Sequence, residues 1–156
     1  MIVVSDASVV INLSRIGRLG LLREIYGRVV VPLAVAGEVE RGAAGLLAAE
    51  ASWIEVTSIK RRGLVDELAE GLDPGECEAI ALAVEMRADF LLIDENLGRA
   101  AALRLGLRIT GLLGVLLVAK QRHLIVAVAP NIRALVAEVF WLSDEVIARV
   151  LRQAGE

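Results

Sequence analysis

Twenty of the 156 residues are aspartate or glutamate, against one cysteine and one histidine, so any chemistry this chain performs rests on carboxylates. A lone Cys77 excludes an internal disulfide and a Cys-x-x-Cys zinc or redox site. A lone His123 excludes a multi-histidine metal centre and argues against a Ser-His-Asp triad. Hard oxygen donors favour Mg²⁺ or Mn²⁺ over zinc or copper. Two carboxylates close apolar runs, Val3-Val4-Ser5-Asp6 and Leu92-Ile93-Asp94. In open parallel sheets, ligands bind just beyond the carboxyl ends of the strands. One aspartate in that place is commonly a helix N-cap; two in one sheet point to a ligand. Glu76 is the third candidate. At about 100° per helical residue it faces the same way as Ala79, Ile80 and Ala83, a face small enough to pack on a sheet. A carboxylate there is costly unless it is paired or binds a metal, although a first-turn acid also complements the helix dipole. Glu78, by contrast, shares a face with Glu85 in the pattern of a solvated stripe. Glu38, close in angle to Ala34, is the fourth, and a plain surface glutamate fits that position equally well. Converging carboxylates raise one another's pKa values unless a cation intervenes. A divalent ion would remove the repulsion, polarise a phosphoryl oxygen and acidify water. The physical reading is a Mg²⁺ or Mn²⁺ site acting on phosphate esters.

The elements that must position these acids follow from the apolar pattern. Short buried strands are expected at Ile2–Ser5, Val29–Val31, Trp53–Ser58, Phe90–Ile93 and Arg108–Thr110. Between them fall helical spacings. Val9–Tyr26 breaks near Gly17 and Gly20, and Pro32 opens a helix running to Gly42. A small alanine-rich helix comes next. Leu72-Asp73-Pro74-Gly75 then forms a turn into a helix from Glu76 to Arg87, and residues 97–105 form another. The remainder reads as helical, with breaks at Pro130 and Ser143. Apolar strands alternating with helices indicate a parallel sheet covered on both faces. The class is α/β, in a single domain over 1–156 with C-terminal helices from about 131.

Hydrophobic residues make up 56% of the chain and charged residues 24%, enough apolar side chain for a compact core and too little charge for disorder. The longest uncharged stretch, Ile109–Ala119, is interrupted by two glycines and is too short to span a membrane. The start of the chain lacks the pattern of a signal peptide, so a cytoplasmic protein is expected. A net charge of −3 gives no global field for nucleic acid. Almost all the basic residues are nevertheless arginine, the better phosphate clamp. The five aromatic residues leave little material for a base-stacking platform.

At this point the motifs resemble those of PIN-domain proteins. The resemblance is carried by Asp6-x-Ser8, by Val31-Pro32-x-x-Val35-x-x-Glu38-Val39 and by Leu72-Asp73-x-Gly75-Glu76-x-Glu78-Ala79-Ile80. It continues through Leu92-Ile93-Asp94-Glu95 with Gly98-Arg99, and Gly111-x-x-Gly114-x-Leu116-x-x-Ala119-Lys120. It runs from Ile2 to about Ala154 and is nearest to a prokaryotic toxin-like branch with a helical C-terminus. It implies a PIN-like three-layer α/β/α sandwich with a central parallel sheet of about five strands. It also implies a metal cluster of Asp6, Glu38, Glu76 and Asp94, with Ser8 orienting the first aspartate. The activity implied is a Mg²⁺- or Mn²⁺-dependent endoribonuclease on single-stranded RNA, acting as the toxin of a type II toxin–antitoxin pair. Such proteins commonly form a homodimer held silent by a cognate antitoxin. Two positions depart from the family pattern: the third acid is Glu76 rather than aspartate, and Ile93 stands where Thr or Ser is common.

Arg99, five residues beyond Asp94, is a candidate for holding a substrate phosphate or for pairing with a nearby acid. Lys60-Arg61-Arg62 reads as a solvated loop, Cys77 as a buried hydrophobe and His123 as a surface residue. Phe140, Trp141 and Leu142 either close the core or supply a dimer or antitoxin surface. Two other classes compete with the nuclease. One is a catalytically silent PIN-like module that binds RNA or protein. The other is a receiver-type phosphoacceptor, disfavoured because Ser5-Asp6 offers one acid where that class needs a pair.

Overall fold

The computed structural model describes residues 1–138 and 140–156. Five strands, β1 (Val3–Ser5), β2 (Val29–Pro32), β3 (Ile54–Thr57), β4 (Phe90–Leu92) and β5 (Ile109–Thr110), form one sheet in the order β3-β2-β1-β4-β5. Every strand pair is parallel. Wholly buried valines in β1 and β2 satisfy a sheet covered on both faces. The helices that cover it are α1 (Ala7–Arg15), α2 (Gly20–Tyr26), α3 (Leu33–Gly42), α4 (Leu46–Ala49), α5 (Gly63–Leu68) and α6 (Pro74–Met86). They continue with α7 (Asn96–Arg104), α8 (Leu112–Gln121), α9 (Ala129–Ala137) and α10 (Asp144–Gln153). This is the expected PIN-like α/β/α sandwich. Among the described residues no helix is long and apolar enough to cross a membrane.

The chain adds β2 and then β3 on one side of β1, and β4 and β5 on the other. The order therefore reverses between β1 and β4, the place where open α/β sheets leave a crevice. The strand register fixes which residues border it: Ser5 pairs with Leu92. Asp6 and Asp94 thus emerge at the same edge from neighbouring strands.

Most expected boundaries hold within a residue or two. Pro32 ends β2 and caps α3 with extended backbone instead of occupying the helix's first turn. Pro130 sits in the first turn of α9, so it starts a helix rather than interrupting one. Lys120 donates to the Ala154 carbonyl and to Glu156, whose carboxylate also accepts from the Val128 and Ala129 N–H groups at the start of α9. The pKa of Glu156 is lowered to about 2 by these donors, the Val128 N–H foremost.

The one helix missed by the sequence pattern is α5, and its omission explains a second error. Glu78 is not on a solvated stripe. It is 8% exposed, accepts from the Ala34 N–H at 2.9 Å and pairs with Arg62 at 2.9 Å. A face shared with Glu85 indicates solvent only if one side of the helix is uncovered. Here α6 packs against α3, α5, α7 and the strands β1, β2 and β4, and every residue from Gly75 to Ala83 is buried. Cys77 and Ala81 bury with Val65 of α5. Glu85 in turn accepts from the Lys60 and Arg61 N–H groups, so both acids tie down the loop ahead of α5.

Glu78→Ala is expected to leave the Ala34 N–H and Arg62 without their acceptor and to cost about 1–3 kcal/mol. Urea unfolding would measure this, with binding of divalent ions unchanged because Glu78 faces α3 and the α5 loop.

Candidate metal centre

Asp6 follows β1 and is the N-cap of α1, so the common structural role of such an aspartate is realised. One oxygen, Oδ1, accepts from the Val9 N–H at 3.0 Å. The other, Oδ2, accepts from the Asp94 N–H at 3.3 Å, across the β1–β4 junction. Asp6 is 3% exposed. Burial is the largest influence on its pKa, which is raised to about 8, with the nearby Asp94 and Glu76 charges adding to the rise.

Asp94 leaves β4 without capping the helix that follows. Its Oδ1 instead accepts from Leu112 N at 2.8 Å, the first residue of α8. The residue capping α8 is Gly111, which has no side chain to do so, and Asp94 supplies the acceptor from across the fold. A Cβ on Gly111 would lie 2.7 Å from both Asp94 Oδ1 and Arg99 Nη1, so the close approach requires glycine. The second oxygen, Oδ2, is buried with no hydrogen-bond partner among the described residues. The Asp94 pKa is raised, chiefly by burial, with Arg99 opposing the rise.

Glu76 forms a capping box with Asp73 at the start of α6. Asp73 Oδ1 accepts from Glu76 N at 2.8 Å, and Glu76 Oε2 accepts from Asp73 N at 3.3 Å. Its pKa is raised by burial first and then by Asp73, with smaller contributions from Glu95 and Glu38. Glu38 reaches across from α3 to the α6 N-terminus, and a Cβ on Gly75 would overlap its carboxylate. The Glu38 pKa is likewise raised, by burial and by Asp73. Repulsion therefore links Asp94 to Asp6, Asp6 to Glu76 and Glu76 to Glu38 in one chain of like charges.

The N-termini of α1, α6 and α8 all meet these acids, and the positive ends of helix dipoles offset part of the repulsion. Even so, among the described residues no three His, Cys, Asp or Glu side chains stand close enough together to share one ion. The residues fit a hard divalent cation in their chemistry. Their donors are carboxylate oxygens, Asp94 Oδ2 lacks a partner, and Gly75 and Gly111 hold open the space that the Glu38 and Asp94 carboxylates occupy.

The two remaining candidates lie beside this chain of acids. Ser8 Oγ faces Asn12, whose side-chain amide donates to it at 3.2 Å, while the Asp6 carboxylate is held by the Val9 and Asp94 N–H groups. Arg99 Nη1 donates to the Ile93 carbonyl at 2.8 Å, which sets its charge next to Asp94. Both line a cleft of about 980 Å³ that Asp94, α10 and the segment before it also line. Asp73 and Glu95 belong to the electrostatics of the site and were not singled out from sequence. The spacing Asp73-x-x-Glu76 was a readable signal for the first, whereas Glu95 carries none.

A family model described as a PIN domain matches residues 2–156, and the chain belongs to that family, whose members are generally nucleases that bind divalent metals. A search of curated proteins returns no match. Among solved structures, the chain is similar to a PilT N-terminus domain protein from the hyperthermophilic archaeon Sulfolobus solfataricus P2. The TM-score is 0.55 at 16% identity, over 74% of this chain and 90% of that one. At that identity the likeness is one of fold.

The raised carboxylates set the pH response of the metal-free protein. Between pH 4 and about 8 the folded state holds protons on Asp6 that the unfolded chain has released, so stability falls as pH rises through that window. Thermal melts in EDTA should show a Tm that declines from pH 5 to pH 8. Asp94→Asn keeps an acceptor for Leu112 and removes one charge. It should melt higher than wild type at pH 8 by about 2–4 °C for each kcal/mol relieved, with the difference shrinking toward pH 5.

Proposed function

We propose that this chain is a divalent-metal-dependent endoribonuclease that hydrolyses phosphodiester bonds of single-stranded RNA. Asp6, Glu38, Glu76 and Asp94 hold Mg²⁺ or Mn²⁺ in this reading. The observation that supports it most strongly is the pairing of Asp6 and Asp94 at the point where the strand order reverses, with a buried Asp94 oxygen lacking any partner. When bound, the ion polarises a phosphoryl oxygen and acidifies water. The protein's own contribution is orientation. Asp6 is locked by two backbone donors, Asp94 by the first N–H of α8, and Glu38 by the space left at Gly75. The clustered helix N-termini favour an anionic phosphate, and Arg99 adds a fixed positive charge beside Asp94.

The resemblance noted above extends the reading to the toxin of a type II pair, a cytoplasmic homodimer held by a cognate antitoxin. A small neighbouring reading frame encoding a DNA-binding protein would support that extension. A catalytically silent PIN-like module is the second reading. It is favoured by the separation of the acids and by the engagement of the Glu76 carboxylate in the α6 capping box.

Purified protein incubated with labelled single-stranded RNA should cleave it with Mn²⁺ or Mg²⁺ and stop in EDTA. Asp94→Asn, prepared identically, should lose about a hundredfold or more of that rate. Equal cleavage by both proteins would remove the carboxylate site from the chemistry, and absence of both cleavage and Mn²⁺ binding by calorimetry would favour the silent module. Gly75→Ala introduces a methyl group where the Glu38 carboxylate lies and should lower the rate about tenfold to a hundredfold, while the helix itself gains from alanine.

A further inference from the structure

The cleft beside Asp94 extends well past the acids, and its outer part has features that the metal centre does not use. Of the apolar triplet Phe140-Trp141-Leu142, only the flanking residues pack against the core. Trp141 between them is 84% exposed. Trp141 lines the cleft on the approach to α10. The other indole, Trp53, is buried and donates to Glu50, and Tyr26 and Phe90 pack on each other with Arg108 over the Phe90 ring. Trp141 is thus the exposed aromatic side chain of the cleft that Asp94 borders.

The same cleft is lined by three arginines from three helices, Arg15 of α1, Arg99 of α7 and Arg149 of α10. Arg99 is tied to the Ile93 carbonyl. Arg15 and Arg149 are exposed, and the ion pairs among the described residues involve neither. Guanidinium groups and an exposed indole lining one cleft are the two kinds of group that single-strand nucleic-acid binding uses. The charges follow the backbone, and a base stacks on the ring. Asp94 borders the same cleft, and on the nuclease reading a scissile phosphate would lie there.

We infer that this cleft binds single-stranded RNA, with an unpaired base stacked on Trp141 and flanking phosphates held by Arg15 and Arg149. The inference rests on the nuclease reading for its catalytic end and on the cleft's own residues for the rest. A single stacking residue needs no aromatic platform, which reconciles strand binding with a chain holding five aromatic residues.

The two-tryptophan composition makes the test direct. In a Trp53→Phe background, the emission of Trp141 is followed in EDTA while an uncleavable 2′-O-methyl strand of about ten nucleotides is added. Quenching is expected from the intact strand, and none from inorganic polyphosphate or from a strand made abasic throughout. By fluorescence anisotropy of the same strand carrying a dye, Trp141→Ala should weaken binding about tenfold, with Trp141→Phe recovering most of it. Arg15→Ala and Arg149→Ala should each lower the slope of log affinity against log salt by about 0.7. In turnover with Mn²⁺, Trp141→Ala should raise KM and leave kcat near wild type.

Equal affinity of wild type and Trp141→Ala would overturn the inference, as would equal affinity for intact and abasic strands. A blue shift of Trp141 emission that tracks protein concentration, with no response to any strand, would overturn it in favour of a second copy covering the cleft. The two proposals fail separately. Strand-dependent quenching without cleavage removes the nuclease and keeps the strand-binding cleft, whereas cleavage with an unchanged KM in Trp141→Ala removes the strand-binding cleft and keeps the nuclease.

Discussion

Asp6 directs both carboxylate oxygens at backbone donors, one to the first turn of α1 and the other to the Asp94 N–H at the end of the neighbouring strand. The pair of bonds joins β1, α1 and β4 at a point with almost no solvent. A buried carboxylate is tolerated only where it is paired, hydrogen-bonded or neutralised. Here two donors are not enough to offset burial first and the neighbouring Asp94 and Glu76 charges second, as the raised pKa of Asp6 records. The surrounding structure can be understood as an answer to that constraint. Three helices begin at the acids, Arg99 is held beside Asp94, and glycines stand at 75 and 111 where any side chain would displace a carboxylate.

The arrangement is therefore costly for the folded state on its own and favourable toward a cation. Strain of this kind is common where a protein must bind charge, because the binding event relieves the repulsion that folding assembled. The hydrophobic part of the molecule supplies the stability that permits it. The valines of β1 and β2, Leu91 and Leu92 of β4, and the small face of α6 are almost fully buried. Glu78 shows the other way of burying a carboxylate in the same helix. Two residues from Glu76, it is satisfied by a backbone N–H and an arginine, and it adds nothing to the repulsion around Asp6.

Helix α6 also marks where periodicity stops being informative. A helix turned toward solvent on one side displays its polar face in sequence, and the stripe of Glu78 and Glu85 looked like such a face. With α3 and α5 covering it, the stripe instead meets backbone donors and Arg62. The helix α5 itself, six residues with one buried side chain, is too short to show a repeat. Glu76 was legible because its face is small and apolar enough to make a carboxylate conspicuous. Ser8 was placed by motif beside Asp6, and the structure turns its hydroxyl to Asn12. The direction of a short side chain depends on which donor lies nearest, and no spacing rule encodes that.

The sequence by itself determined the class of the molecule and the character of its chemistry. Apolar strands alternating with helices dictate a covered parallel sheet, because such strands have no face to give to water. One histidine, one cysteine and many carboxylates leave carboxylates as the chain's main chemical groups, oxygen donors that suit a hard cation. The tertiary structure decided which acids are neighbours. Strand order is a non-local property, and only the insertion of β1 between β2 and β4 sets Asp6 against Asp94. It likewise decided that Asp94 caps a helix that begins 18 residues later and that Gly75 makes room for Glu38. It also separated Trp141 from the two apolar residues beside it in sequence. Each of these depends on surfaces brought together from distant parts of the chain, where packing and charge act through space.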